Sequence, residues 1–357
     1  MKKYLSLYLL VLPYVTNSQT RLTADGQGNT YDLIKSVLAP GYNPIEVPDC
    51  NHSDFGNHID EVFDSTLNTN VFRFYIHSTP DNDRCIKFDR QRNEIKTYDK
   101  SPSDLKGTQG EIVVYKWGFK LENGFQSSPN FTHIHQLKSV GGALESMPMY
   151  TLTTRKGSPD KIQIRYAETD AQVTLYETEL SPFIGTWLEV IETITYDTKG
   201  TYSIEIKSAS DDSVLLNYFN NDIINWRNGA SFVRPKWGIY RSLINAQDLR
   251  DEVVSFSYFS IEEIDSLTEF SMNTLQSNLT LYPNPVNDFL YIKNNFNQQI
   301  ELQLQVYTLT GQLLMESLVS NKNLPAVINT SKLANGTYII ELVGPKLKSH
   351  QLIVVSH

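Results

Sequence analysis

The chain has 357 residues, a formal net charge of -9, and 40% hydrophobic and 20% charged side chains, the balance of a globular protein. The acidic balance excludes bulk nucleic-acid binding, and an anionic polymer can be held only where basic side chains cluster locally. The 20 Tyr and 16 Phe favour β structure, because aromatic side chains fit the half-buried surface of a sheet.

At the start, Met1-Lys2-Lys3 precedes an apolar run from Tyr4 to Val15 and then Asn17-Ser18-Gln19. A positive end, a short apolar stretch and small residues before a polar start predict a secretory signal peptide over 1–18. No later stretch approaches the roughly 18 apolar residues of a membrane span, so no transmembrane segment is expected. Tyr31–Leu38 reads as a short helix, and 20–65 is otherwise hard to assign. Cys50 and Cys85 form one disulfide or remain two thiols; in an exported chain the sequence leaves both open. From about 70 to 262, short period-two apolar runs alternate with turns. They include Val71–Ile76, Glu111–Leu121, Phe131–Leu137, Met149–Thr154, Lys161–Tyr166, Trp187–Tyr196, Gly200–Ser208, Trp237–Tyr240 and Val253–Ile261. The polar stretch 265–278 reads as a linker. After it, seven short runs with hairpin signals at Thr310-Gly311 and Asn335-Gly336 predict a small sandwich over 279–357. The expected fold is all-β: a β-jelly roll over 19–264, then a small Ig-like β-sandwich.

Within the tail stand Tyr282-Pro-Asn-Pro-Val286, Val306-Tyr-Thr-Leu-Thr-Gly-Gln312, Leu333-Ala-Asn-Gly-Thr-Tyr338 and a final Leu352–Val355 strand. These motifs, in this order, resemble the C-terminal sorting domain of the type IX secretion system of Bacteroidetes. The resemblance implies recognition by the type IX machinery, then release or attachment at the cell surface. A generic Ig-like spacer or a carbohydrate-binding module is the structural alternative.

Three segments of the large domain carry chemistry. In Arg90-Gln-Arg92-Asn-Glu94-Ile-Lys96, strand alternation puts Arg90, Arg92, Glu94 and Lys96 on one face. That face can neutralise carboxylates, or it can be a solvated edge with an internal ion pair of little value. In Phe131-Thr-His133-Ile-His135-Gln136-Leu-Lys138, the two histidines are two apart and are expected to share a face. In Arg234-Pro-Lys236-Trp237-Gly238-Ile-Tyr240-Arg241, Lys236, Gly238 and Tyr240 share a face. Gly238 there leaves room for a ligand to approach the backbone. Nearby cations are expected to lower the Tyr240 phenol pKa. An amphipathic strand with a packed Tyr is the ordinary alternative.

Together the segments resemble the signature strands of jelly-roll polysaccharide lyases of the alginate- and glucuronan-lyase group, whose fold is concanavalin-A-like. Arg92-Asn-Glu94-Ile-Lys96, His133-Ile-His135 and Lys236-Trp-Gly238-Ile-Tyr240 correspond in order and spacing. Lys96 stands where the group has Arg, His133 where it often has Gln, and Ser242 where alginate lyases often continue with Gln. The resemblance implies β-elimination on an anionic, uronic-acid-containing polysaccharide. Arg92 would neutralise the carboxylate with help from His133. Tyr240 would be the acid and His135 the base, or Tyr240 would serve both roles. Arg90, Glu94, Lys96, Gln136, Lys138, Lys236 and Arg241 would bind substrate. Trp117 and Trp237 offer faces for sugar stacking, although core packing is the commoner fate of a strand Trp.

Such chemistry requires no cofactor. A structural calcium near Asp251, just before the Val253 strand, is the one ion the sequence suggests. Two other functions compete with the lyase. A carbohydrate-binding or adhesin jelly roll would need no catalytic register. A glycoside hydrolase would need paired carboxylates; Glu263-Ile-Asp265-Ser-Leu-Thr-Glu269 resembles the Glu-x-Asp-x-x-Glu strand of laminarinase-type hydrolases, but its last Glu comes one residue later and the motif sits at the linker.

Overall fold

Where apolar residues alternate in sequence, the chain is strand. The computed structural model describes residues 19–264, 279–294, 301–308, 312–320, 326–344 and 347–357. The expected signal peptide and linker, and Asp265 and Glu269 of the carboxylate motif, lie outside the described residues. Two compact units divide between Glu263 and Ile264.

The strands of the first unit are β1 (Gln19–Thr23), β2 (Ile45–Glu46), β3 (Ile59–Asp64), β4 (Thr69–Ile76), β5 (Arg90–Lys96), β6 (Ile112–Leu121), β7 (Thr132–Val140) and β8 (Tyr150–Arg155). They continue as β9 (Lys161–Tyr166), β10 (Val173–Glu179), β11 (Leu188–Thr195), β12 (Gly200–Ser208), β13 (Val214–Ile223), β14 (Phe232–Ser242) and β15 (Glu252–Ile264). One sheet runs β13-β12-β11-β6-β15-β4-β3, with β1 also paired to β15; the other runs β10-β9-β8-β7-β14-β5-β2. Strands distant in sequence are neighbours in both sheets, the crossover pattern of a jelly roll. The helix α1 (Thr30–Leu38) buries Thr30, Ile34 and Leu38, a four-residue spacing that makes one apolar stripe.

The two sheets share one apolar core. Trp237 of the second sheet meets Phe259, Trp117 and Tyr115 of the first at ring-centroid distances of 5.1, 6.1 and 6.3 Å. Each such buried side chain contributes roughly 1.5–3 kcal/mol. The edge strands β10 and β13 bury few side chains, so their sequences lack a clean alternation.

The second unit contains β16 (Leu279–Tyr282), β17 (Phe289–Asn294), β18 (Glu301–Thr308), β19 (Leu313–Ser320), β20 (Ala326–Asn329), β21 (Gly336–Gly344) and β22 (Leu347–Val355). They form sheets β16-β17-β20 and β19-β18-β21-β22 over a separate core that includes Val286, Leu290, Val306, Ile340 and Ile353. Motifs far apart in the tail sequence meet here. Val286 donates to the Val354 carbonyl at 2.8 Å, Val354 N donates to Asn284 Oδ1 at 2.8 Å, and His357 N donates to Asn335 Oδ1 at 2.9 Å.

Cys50 and Cys85 are joined in a disulfide across a sequence separation of 35. A loop of that length removes about 3–4 kcal/mol of denatured-state entropy. The double variant Cys50→Ser/Cys85→Ser should therefore unfold its jelly roll with a stability lower by about 2–4 kcal/mol. Urea titration of the full chain checks this, and an unchanged midpoint would contradict it.

Candidate active site

The site is built on the pairing of β5 with β14. Lys236 lies opposite Lys96, Gly238 opposite Glu94, and Tyr240 opposite Arg92. Alternation turns Ile95, Trp237 and Ile239 into the core and sends the charged set to the outer face of the sheet. Gly238 has φ +143°. A Cβ there would lie 2.1 Å from the Asn93 carbonyl oxygen and 2.8 Å from the Glu94 Cα. The glycine thus admits the neighbouring strand's backbone, and the ligand space expected above it is taken.

The outer face is a lattice of ion pairs. Arg92 donates to Asp83 from Nε (2.9 Å) and Nη2 (3.1 Å), and its Nη1 donates to Glu94. Lys236 Nζ reaches Glu46 at 2.5 Å and Glu94 at 2.7 Å, and Lys96 Nζ reaches Glu46 at 2.7 Å. Gln136 donates its amide to Glu94. Arg84 Nη1 holds Glu46 at 2.6 Å. Burial would raise the Glu46 and Glu94 carboxyls, but Lys236 and Arg92 outweigh it. Glu94 is held at about 2 and Glu46 well below the usual carboxylate range.

Cations outnumber these carboxylates. Lys138 and Arg234 lie opposite each other on β7 and β14 and take part in no ion pair among the described residues. Arg234 Nε is buried without a partner. Burial, then the neighbouring Lys236, Arg234 and Arg92, bring the Lys138 amine down to about 8.

Tyr240 and His133 are paired across β14 and β7 on this face, with ring centroids 5.8 Å apart. Phe131 stacks on His133 at 4.8 Å and tilts against Tyr240 at 5.1 Å. Arg90 Nη1 donates to the Tyr240 hydroxyl at 3.0 Å, and the Arg92 guanidinium lies 3.7 Å over the Tyr240 ring. Burial nevertheless raises the phenol pKa, outweighing Arg92 and Arg90; the expected lowering does not occur. Burial, with Arg155, Arg92 and Arg165 adding to it, lowers the His133 imidazole to about 3 although Glu94 opposes it, so the ring is neutral. Its Nδ1 is buried with no hydrogen-bond partner.

His135 is not on this face. Against β8, His133 pairs with Thr153 while His135 pairs with Leu152, so β7 carries one extra residue there. This β-bulge flips the alternation: Ile134 and His135 both point inward, and Gln136 returns outward to Glu94. His135 stacks at 4.4 Å on Trp117, and its Nε2 lies 2.9 Å from Glu192, which also accepts from Tyr202 at 2.7 Å. Trp117 and Trp237 are fully buried and offer no sugar platform. Arg241 is also fully buried, donating to the inward-facing Gln91, and is not a substrate contact. Asp251, just before β15, accepts twice from Ser78, at 2.7 Å from the backbone and 2.9 Å from the hydroxyl, as an Asp at a strand entry commonly does. The structure therefore brings together Arg90, Arg92, Glu94, Lys96, His133, Gln136, Lys138, Lys236 and Tyr240.

Glu46, Asp83, Arg155 and Arg165 belong to the same environment and have no sequence motif. Glu46 lies in a two-residue strand, too short to show periodicity, and Asp83 in a turn. Arg155 and Arg165 sit on β8 and β9, where they read as ordinary surface cations.

Residues 280–356 match the family described as secretion system C-terminal sorting domain. The tail is a type IX sorting domain. The sorting domain directs export, ending in secretion or attachment at the cell surface. Among the described residues no helix is long and apolar enough to cross a membrane. No curated protein matches the chain. Solved structures similar to it include an endo-β-1,4-glucuronan lyase from the fungus Trichoderma reesei, with 16% identity, covering 69% of this chain and 95% of that one at a TM-score of 0.43. A marine alginate lyase from Aplysia kurodai shows 12% identity over 68% of this chain and 97% of that one, at 0.47. An alginate lyase from Pseudomonas aeruginosa shows 13% identity over 61% and 96%, at 0.40.

Two outcomes follow from these placements. His135→Ala strands Glu192 in the core, and urea denaturation should record a loss of about 3–5 kcal/mol; a loss below about 1 kcal/mol would remove His135 from the core account. His133 is neutral when folded and protonates near pH 6.5 when unfolded. The unfolded chain therefore binds more protons below that pH, and stability falls as pH drops from 6.5 towards 3. Between pH 6.5 and 4.5, His133→Gln should show a flatter fall in urea midpoint than the parent.

Proposed function

We propose that the chain is an exported polysaccharide lyase that cleaves a uronic-acid polymer by β-elimination at the β5–β7–β14 face. The observation carrying this reading is the pair His133 and Tyr240. A neutral imidazole with an unpartnered nitrogen faces a phenol that keeps its proton. Unpaired cations, Lys138 and Arg234, lie along the same strands, β7 and β14.

The C5 proton of a uronate is acidic only when the adjacent carboxylate is neutralised, because charge develops there as the proton leaves. Arg155 and Arg165, which act on His133 and whose buried Nε atoms have no partner, supply that neutralisation with Arg92, itself shared among Asp83, Glu94 and Glu46. Lys138 and Arg234, further along the β7–β14 ladder, would hold the carboxylates of neighbouring sugars. His133 accepts the C5 proton, the electron pair forms the C4–C5 double bond, and the C4–O4 bond breaks. Tyr240 donates its proton to the departing O4. The phenolate left behind faces the Arg90 donor and the Arg92 guanidinium, and the proton held on His133 restores the phenol. Tyr240 as both base and acid is the second arrangement, in which the Arg90 donor and the Arg92 guanidinium over the ring would hold the phenolate. The hydrolase reading loses support. Glu46 and Glu94 are held ionised by cations, whereas glycoside hydrolysis needs a carboxyl kept protonated.

A non-catalytic glycan-binding reading has one observation behind it: Glu46, Asp83 and Glu94 already neutralise Arg92, Lys96 and Lys236 internally. Incubation with alginate, glucuronan and related uronates separates the two. The lyase reading expects ultraviolet absorbance from the new double bond conjugated to the carboxylate. Tyr240→Phe should then lower kcat by about 10²–10⁴-fold with an unchanged circular dichroism spectrum. Binding without product on every uronate polymer would favour the module, and an active Tyr240→Phe protein would defeat the assigned role.

A further inference from the structure

Away from that face, four side chains from three segments converge. His52 follows the 3₁₀ turn Asp49–Asn51, His58 immediately precedes β3, His77 immediately follows β4, and Asp81 lies in the next turn. Asp81 Oδ1 is 2.9 Å from His52 Nδ1 and 3.2 Å from His58 Nε2, and its Oδ2 is 3.0 Å from His77 Nδ1. One donor atom from each of the four residues lies within 4.8 Å of all the others. Tetrahedral bonds of about 2.0–2.1 Å require ligand atoms about 3.3 Å apart, close to the distances to Asp81.

We propose that His52, His58, His77 and Asp81 form a structural zinc site. The donor set is three imidazoles and one carboxylate, which suits zinc; calcium and magnesium take oxygen ligands. His58 lies between two carboxylates, its Nδ1 2.7 Å from Asp49 and its Nε2 facing Asp81. Asp49 can only accept, so Nδ1 carries its hydrogen and Nε2 presents a lone pair to the ion. This is the carboxylate–histidine–metal arrangement that orients a metal-binding ring. Tyr31 fixes Asp49 in turn, donating its hydroxyl at 2.8 Å. Phe55 covers the cluster, with ring centroids 4.4 Å from His77 and 4.8 Å from His58. Asp81 and His58 are fully buried, while His52 and His77 keep partial exposure and leave a way in for the ion. Four protein ligands close the coordination sphere, so the site is structural rather than catalytic.

The site pins the end of β4 to the start of β3 and to the loop that begins at His77. Cys85, on that loop, is bonded to Cys50, which adjoins Asp49. The same loop carries Asp83, which grips Arg92.

Zinc chloride titrated calorimetrically into the chelator-treated full chain should bind saturably at one ion per chain and raise its melting temperature. The double variant His52→Ala/His77→Ala should lose both effects. Asp49→Asn should weaken binding by about 10–100-fold. Cobalt(II) in place of zinc should give the intense visible bands of a tetrahedral ion. No saturable binding by the parent chain at millimolar zinc, binding undiminished in the double variant, or the weak bands of octahedral cobalt would each overturn the assignment. The parent titration and the cobalt spectrum need no variant to fold, and neither depends on lyase activity.

Discussion

Glu94 sits at the middle of β5 with no solvent exposure, and it accepts from Arg92, Gln136 and Lys236. A buried carboxylate is tolerated only when its charge is matched and its lone pairs are filled. Those three partners come from three adjacent strands, β5, β7 and β14, so the requirement ties the register of the sheet centre to one anion. Glu46 extends the same constraint to the edge strand β2, joining Lys236, Lys96 and Arg84. The polar face is thus held by electrostatics, while the opposite face of the same strands is held by aromatic packing.

That ordering explains why the site is cationic yet largely spoken for. Arg92 is held by Asp83 in a bidentate grip, which positions it over Tyr240 and leaves little of its charge for a ligand. The cations without carboxylate partners lie further along β7 and β14. The cations held in the lattice and those free of carboxylate partners among the described residues are therefore different residues on the same strands. Tyr240 and His133 lie at the other end of the lattice from Lys138 and Arg234, both driven to their neutral forms by burial.

A second framework supports the loop that supplies Asp83. Gln91 and Asn93, the inward-facing partners of Arg90 and Arg92 on β5, donate to backbone carbonyls of His77, Ser78, Asp81, His58 and Tyr75. The disulfide and the His52–His58–His77–Asp81 cluster lie on the same segments. One strand thus faces two ways, towards the charged lattice outside and towards the loop anchors within.

Much of this was legible in the chain itself. Period-two patterning predicted most sandwich strands, and Arg90-x-Arg92-x-Glu94-x-Lys96 and Lys236-x-Gly238-x-Tyr240 placed their side chains on one face, because alternation along an unbroken strand is a local property. The sorting motifs were likewise readable, since each is contiguous. The same local rule misplaced His135, because the bulge that interrupts β7 arises from its pairing with β8 and β14 and has no signal within His133-Ile-His135. Trp117, Trp237 and Arg241 looked available for binding, and only the apposition of two sheets buried them. Sequence by itself determined which residues alternate and which tail addresses the chain outward. Tertiary structure alone decided which charges are already matched, which phenol and imidazole meet, and which histidines converge, because these depend on contacts between segments far apart along the chain.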